Sequence, residues 1–324
     1  MNSELSLSEI QKTRDRLGER VVTTPSLQWQ GDELSRSIDD ETAVYVKLEL
    51  FQRTGTFKPR GAMNVMMHLS PMQLEKGITA VSAGNHAIAA AYCAREMGTS
   101  AKIFMPKSAS QLRIDRARAY GAEINLCDTQ PEMFELAELA QRDEGRTFVH
   151  PFEGPRTVQG TATAGLEFTG QVPELDAMIL PIGGGGLCAG FSAALKQVWP
   201  DVRIYGVEPE GANTMSLSFA WGEPVTKEDV STIADSLAPP LALPYTFGVC
   251  RDLLDEIVLV SDDQMRNAMR ALFYDLKVAV EPAGAASTAA LCGPLREQLR
   301  GQKVGVITCG SNILLSDFCR LASG

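Results

Sequence analysis

Phe51-Gln-Arg-Thr-Gly-Thr-Phe-Lys-Pro-Arg-Gly-Ala-Met-Asn64 is the stretch on which the fold turns. Upstream, Ala43-Val-Tyr-Val-Lys-Leu-Glu-Leu50 alternates with the period of a strand. Downstream, Gly61-Ala-Met-Asn-Val-Met-Met-His68 reads as the start of a helix running to about Leu69. Lys58 therefore falls near a strand-to-helix junction, where α/β folds collect their functional residues. A lysine at a helix start opposes the helix dipole, so it needs a reason to be there. A plain surface lysine is the ordinary explanation, and two further stretches argue against it.

The first is Val81-Ser-Ala-Gly-Asn-His-Ala-Ile-Ala-Ala-Ala-Tyr-Cys-Ala94. A short apolar strand, Ile78 to Val81, runs through a small polar turn into an alanine-rich helix. Ser82, Gly84, Asn85 and His86 crowd the helix N-terminus, which attracts anions by construction. Helix capping alone would also explain Ser82 and Asn85, and a buried core histidine would explain His86. The second stretch is Ala177-Met-Ile-Leu-Pro-Ile-Gly-Gly-Gly-Gly-Leu-Cys-Ala-Gly190. A strand ends, four glycines follow, and a helix is expected over Phe191 to Val198. Four glycines add nothing to packing, but they let backbone N–H groups converge on a phosphate. The loop lacks the Lys-Ser/Thr ending of a P-loop and the spaced glycines of a dinucleotide fingerprint.

Taken together, Thr-Gly-Thr-Phe-Lys58-x-Arg-Gly-Ala, Ser82-x-Gly-Asn-His and Gly183-Gly-Gly-Gly-Leu resemble the fold type II (tryptophan-synthase-β) family of pyridoxal-phosphate enzymes. Within that family the chain is similar to the serine/threonine dehydratase and serine racemase branch. His150-Pro-Phe, Gln159-Gly-Thr, Gly206-Val-Glu-Pro, Ile233-Ala-Asp and Val280-Glu-Pro-Ala-Gly match in the same order, over about Thr23 to Asn312.

The resemblance implies that Lys58 carries pyridoxal 5'-phosphate covalently and later takes the substrate's α-proton. It implies that Gly183, Gly184, Gly185, Gly186 and Leu187 hold the cofactor phosphate. Asn85 would bond the cofactor's 3′-oxygen and Phe57 would pack near its ring. Ser82, Ala83, Gly84, Asn85 and His86 would form the substrate loop. Cys309 stands at the position facing the pyridine nitrogen, where the branch usually has serine; a buried structural cysteine is the alternative. Serine racemases carry a serine immediately before Gly-Asn-His, and Ala83 replaces it here. Relatives bind a divalent cation (Mg or Ca) after the Val-Glu-Pro strand. The matching positions are Glu208, Ala212 and Thr214, and the neutral Thr214 makes a weak or altered cation dependence the expectation. Pro59 and Ser236 also depart from the branch pattern.

Composition sets the remaining bounds. The 324 residues are 44% hydrophobic and 22% charged, as in ordinary globular chains. A net charge of −10 argues against nucleic acid as a partner. No apolar run is long enough for a membrane span, and no signal peptide is visible. The seven scattered cysteines read as reduced cytosolic thiols rather than a disulfide frame or zinc site.

Alternating strands and helices imply mostly parallel α/β sheets covered on both faces. Residues 1–69 with 149–324 are expected to form a large cofactor domain, and 70–148 a small α/β domain. No segment remains for a regulatory extension. The expectation is therefore a cytoplasmic homodimer that acts on a small molecule. It would be an ammonia-lyase (dehydratase) for a β-hydroxy amino acid such as L-threonine or L-serine. Racemisation, and dehydration of 3-hydroxyaspartate or phenylserine, stand as alternatives.

Overall fold

Residues 3–323 are described by a computed structural model. The strands are β1 (Ser26–Trp29), β2 (Ala43–Lys47), β3 (Ile78–Val81), β4 (Ala101–Pro106), β5 (Glu123–Cys127), β6 (Thr147–Phe148), β7 (Ala177–Pro181), β8 (Arg203–Pro209), β9 (Glu256–Val260) and β10 (Lys303–Ile307). They form two sheets, of order β1-β2-β10-β7-β8-β9 and β5-β4-β3-β6. Every pairing is parallel except that of β1 with β2. Parallel strands need crossovers, and the helices that supply them cover the sheets. This explains why β3 and β7 are buried at every residue, β7 being apolar throughout and β3 apolar but for Thr79.

Three helices tie the site stretches together. Pro59–Met66 follows Lys58, Gly186–Val198 follows the glycine loop, and Pro155–Thr169 lies against both. Glycines bring their backbones close. A Cβ at Gly160 would stand 2.2 Å from the Arg60 carbonyl oxygen, and one at Gly190 would stand 2.4 Å from that of Val158. Beside this stack, the buried Arg60 pairs with Glu49 at 2.8 Å and Glu167 at 2.6 Å, and Lys47 reaches Glu167 at 3.3 Å. Removing one partner from such a group leaves a buried charge uncompensated, at about 3–5 kcal/mol. The first turn after Lys58 is thereby fixed to the sheet.

The structure differs from the sequence expectation in several places. The helix after the glycine loop begins at Gly186 rather than Phe191. Glycine's poor helix propensity is overridden there by close packing of the first turn. The helix after Lys58 ends at Met66, short of Leu69. Pro244 opens the helix Pro244–Leu253; proline is well suited to that first position because its missing N–H would be unpaired anyway. The helix Thr214–Trp221 also follows β8. No helix among the described residues is long and apolar enough to cross a membrane.

Candidate active site

Lys58 occupies the N-cap of the helix Pro59–Met66. The turn before it uses Gly55 at φ +74°, which a side chain would strain. Its Nζ donates to the Pro151 carbonyl at 2.7 Å and lies 5.1 Å from the centre of the Phe57 ring. Burial of the amine lowers its pKa to about 8, against the upward pull of Cys309 and Glu281. An appreciable share of the amine is therefore unprotonated and nucleophilic near neutral pH.

The glycine loop faces it. None of the backbone N–H groups from Gly183 to Cys188 has a protein acceptor among the described residues. They sit at the positive end of the helix Gly186–Val198, where an anion is favoured. Glycine is demanded here by Phe152: a Cβ on Gly184 would lie 2.2 Å from its ring, and one on Gly186 2.5 Å from its carbonyl oxygen. Gly183 to Leu187 line a single cavity with Phe57, Lys58, Asn85 and Cys309. The Cys309 thiol donates to the Ala283 carbonyl at 3.4 Å, and burial pushes its pKa up, so it stays neutral.

The loop after β3 borders an adjoining vestibule that also contains Lys58. Ser82, Ala83, Gly84, Asn85 and His86 all line it. The Ser82 hydroxyl accepts from Gly84 N at 3.0 Å, and the N–H groups of Asn85, His86 and Ala87 have no protein acceptor among the described residues. His86 is held by a 2.8 Å contact between Nε2 and the Val149 carbonyl. Burial, reinforced by Lys58, drops its pKa to about 3, so the ring is neutral and Nε2 is the donor. Its side chain is thus spent on the fold, and what it offers the vestibule is its backbone N–H. Asn85 donates to Ser236 at 3.3 Å and to Glu281, and its Oδ1 accepts from Asn312 at 2.7 Å.

All three stretches therefore meet around Lys58. Sequence reasoning did not single out Arg113, Asp235 or Glu281 as site residues. Arg113 donates to Asp235 and, at 3.1 Å, to the buried Glu281. Burial raises the Glu281 carboxyl to about 7, although Arg113 and Asn85 pull it down. The motif Val280-Glu-Pro was visible, but its partners lie far off along the chain.

Glu208, Ala212 and Thr214 stand apart from this cavity, behind the glycine loop. The Glu208 carboxylate accepts from Met215 N at 2.8 Å and Ser216 N at 2.7 Å, which caps the helix Thr214–Trp221. The Thr214 hydroxyl donates to the Pro239 carbonyl at 3.1 Å. Burial pushes the Glu208 carboxyl up to about 8, and a protonated acid is a poor ligand for a hard cation. These residues do not fit a divalent cation, and no cluster of three or more His, Cys, Asp or Glu suited to a metal exists among the described residues.

The cavity does fit pyridoxal phosphate. Six consecutive free N–H groups suit the phosphate, a depressed lysine amine suits the aldehyde, and a neutral thiol suits an unprotonated ring nitrogen. Comparison with known proteins points the same way. Residues 23–310 match the family described as "Pyridoxal-phosphate dependent enzyme". The chain is 47% identical over 314 residues to phenylserine dehydratase of Ralstonia pickettii, covering 97% of this chain and 95% of that protein. It is 36% identical over 320 residues to the catabolic L-threonine dehydratase TdcB of Escherichia coli (strain K12), covering 96% and 94%. The structure of maize serine racemase superposes with a TM-score of 0.89 at 34% identity, covering 97% of this chain and 96% of that one.

Proposed function

The chain belongs to the pyridoxal-phosphate dependent enzyme family, and we propose that it is a dehydratase converting a β-hydroxy amino acid to a 2-oxo acid and ammonia. The observation that carries this reading is the meeting of the Lys58 amine with two helix N-termini whose N–H groups lack protein acceptors. Pyridoxal phosphate, when bound, supplies an electron sink conjugated to the substrate's Cα–H bond.

The protein's own groups do the rest. The N–H groups of Gly183 to Leu187 would hold the phosphate, and Phe57 and Asn85 line the same cavity. The backbone N–H groups of the Ser82–His86 loop hold the substrate carboxylate, which keeps the Cα–H bond turned toward Lys58. The Lys58 amine, unprotonated in appreciable part, would take the α-proton as a general base. Cys309, a weak donor, leaves the ring nitrogen neutral, which favours prompt departure of the β-hydroxyl over long-lived charge on the ring. Racemisation would need a second proton-exchanging group on the other face of Cα. Ala83 borders the same vestibule and offers only a methyl group.

L-Serine and L-threonine carry the reacting atoms and are the sequence-based choice of substrate. Residues 70–148 are proposed to form a small α/β domain and 1–69 with 149–324 a large one, in a cytoplasmic homodimer.

Incubation with an L-β-hydroxy amino acid in deuterated water tests the reaction. The expected result is 2-oxo acid and ammonia in equal amounts, with little labelled D-amino acid. Abundant labelled D-enantiomer would instead establish a racemase. Borohydride reduction followed by peptide mapping should label Lys58; a label elsewhere would reassign the site.

A further inference from the structure

A third cavity, of about 300 Å³, opens from the vestibule that holds Lys58. The two are continuous, because Ser82, Ala83, Phe152 and Pro239 line both. The third cavity extends away from the cofactor, between the ends of β3 and β4, the first turns of the helix Gln130–Glu144, and residues 238–241. A group attached to the substrate's Cβ can enter it while the carboxylate stays on the Ser82–His86 loop.

Its lining separates the candidate substrates. Met133, Phe134, Phe152 and Leu241 give it apolar walls, and no Asp, Glu, Lys or Arg lines it among the described residues. Rings stack in a row along one side: Phe134 to Phe148, tilted, at 6.4 Å, then edge-on pairs of Phe148 with His150 at 5.7 Å and His150 with Phe152 at 4.6 Å between centroids. His150 is no exception to this neutrality. Its Nδ1 accepts from Phe152 N at 3.3 Å and from Glu153 N at 2.9 Å, so that nitrogen carries no proton and the ring is uncharged. A β-carboxylate in this space would lose its hydration and meet no cation. The hydrogen of serine or the methyl of threonine would leave most of it unfilled. A cavity of about 150 Å³ with apolar walls already holds a benzene ring, and aromatic walls add edge-to-face contacts.

We propose that this cavity receives an aromatic ring on Cβ. The substrate class is then the β-aryl-β-hydroxy amino acids, with Met133 and Phe134 as specificity-determining residues. The proposal rests on the dehydratase reading above, and it replaces serine and threonine as preferred substrates.

The experiment compares kcat/KM of the holoenzyme for L-threo-phenylserine, L-threonine, L-serine and L-threo-3-hydroxyaspartate, in the wild type and in Phe134→Ala. Phenylserine is expected to exceed threonine by about 100-fold, as differences of several carbons in an apolar pocket do. Phe134→Ala is expected to cut that ratio by about tenfold. Preference for serine, threonine or hydroxyaspartate, or an unchanged ratio in Phe134→Ala, overturns the proposal. A second readout separates it from the dehydratase reading. L-Phenylalanine and L-alanine lack a β-leaving group, and their affinity for the holoenzyme is read by titration calorimetry. Tighter binding of L-phenylalanine by about tenfold or more supports the aromatic pocket even if no amino acid is dehydrated; equal binding overturns the pocket even if dehydration is observed.

Discussion

The loop after β7 and the loop after β3 each run from the carboxyl end of a parallel strand into a helix N-terminus, and each leaves consecutive N–H groups without protein acceptors. They differ in what surrounds those groups. Gly183 to Gly186 carry no side chains, and a Cβ on Gly186 would press on the Phe152 backbone. Asn85 and His86 carry side chains tied to Glu281, Asn312 and Val149, and the Cβ of a residue at 84 would first meet the Arg113 side chain. One backbone device is therefore set in two ways. In the rigid, bare setting it suits a ligand that stays. In the loop tied by side chains, at the wider vestibule, it suits a ligand that comes and goes.

Substitutions at matching places should separate the two. Gly186→Ala is expected to weaken cofactor retention by about 100-fold, since backbone must shift to admit the methyl group. Equilibrium dialysis against free pyridoxal phosphate measures this, and unchanged retention would remove the rigid half of the contrast. Next in size is a pH effect on the apoprotein. The pKa of Lys58 is lowered to about 8, so below that pH the amine is progressively protonated and cannot attack the aldehyde. The rate of cofactor recapture should level off above about pH 8 and fall by about tenfold per unit below it. A stopped-flow absorbance series reads it, and a flat profile would contradict the assignment of Lys58.

Gly84→Ala is expected to raise KM about tenfold while the cofactor absorbance stays unchanged, because Arg113 can swing aside at some cost to the substrate loop. Cofactor loss in this variant would show that the two loops are not separable. The smallest effect concerns a third helix start. Glu208 already accepts from the N–H groups of Met215 and Ser216, so its acid has little left for a cation. Exhaustive chelation should change kcat/KM by less than about twofold, and a saturable loss restored by Mg²⁺ would refute it.

The parts of the site that were legible in the sequence are those made by adjacent residues. Thr54 to Lys58, Ser82 to His86 and Gly183 to Leu187 are local backbone devices, and the residue types that permit them stand side by side. The parallel sheets were legible for a similar reason, because β3 and β7 are short, mostly apolar runs closed by small residues. What was hidden depends on contacts between distant segments. Arg113 meets Glu281 across 168 positions, and no local pattern marks either as the other's partner. The third cavity takes its walls from five separate stretches between Val81 and Leu241. The early start of the helix Gly186–Val198 was missed because glycine is a poor helix former, and only its packing against Pro155–Thr169 makes the glycines tolerable there.

That packing also says where the protein can be altered and where it cannot. Gly160 and Gly190 let one helix bear closely on both the Lys58 helix and the glycine-loop helix. The reactive amine and the phosphate cradle are thereby registered to a common strut. A methyl group at either glycine would wedge the stack and shift one against the other, harming every substrate alike. A library aimed at new substrates should therefore hold 160 and 190 constant and spend its diversity on 130–134 and 238–241. Changes there reshape only the space beyond Cβ, and the chemistry at Lys58 is inherited intact.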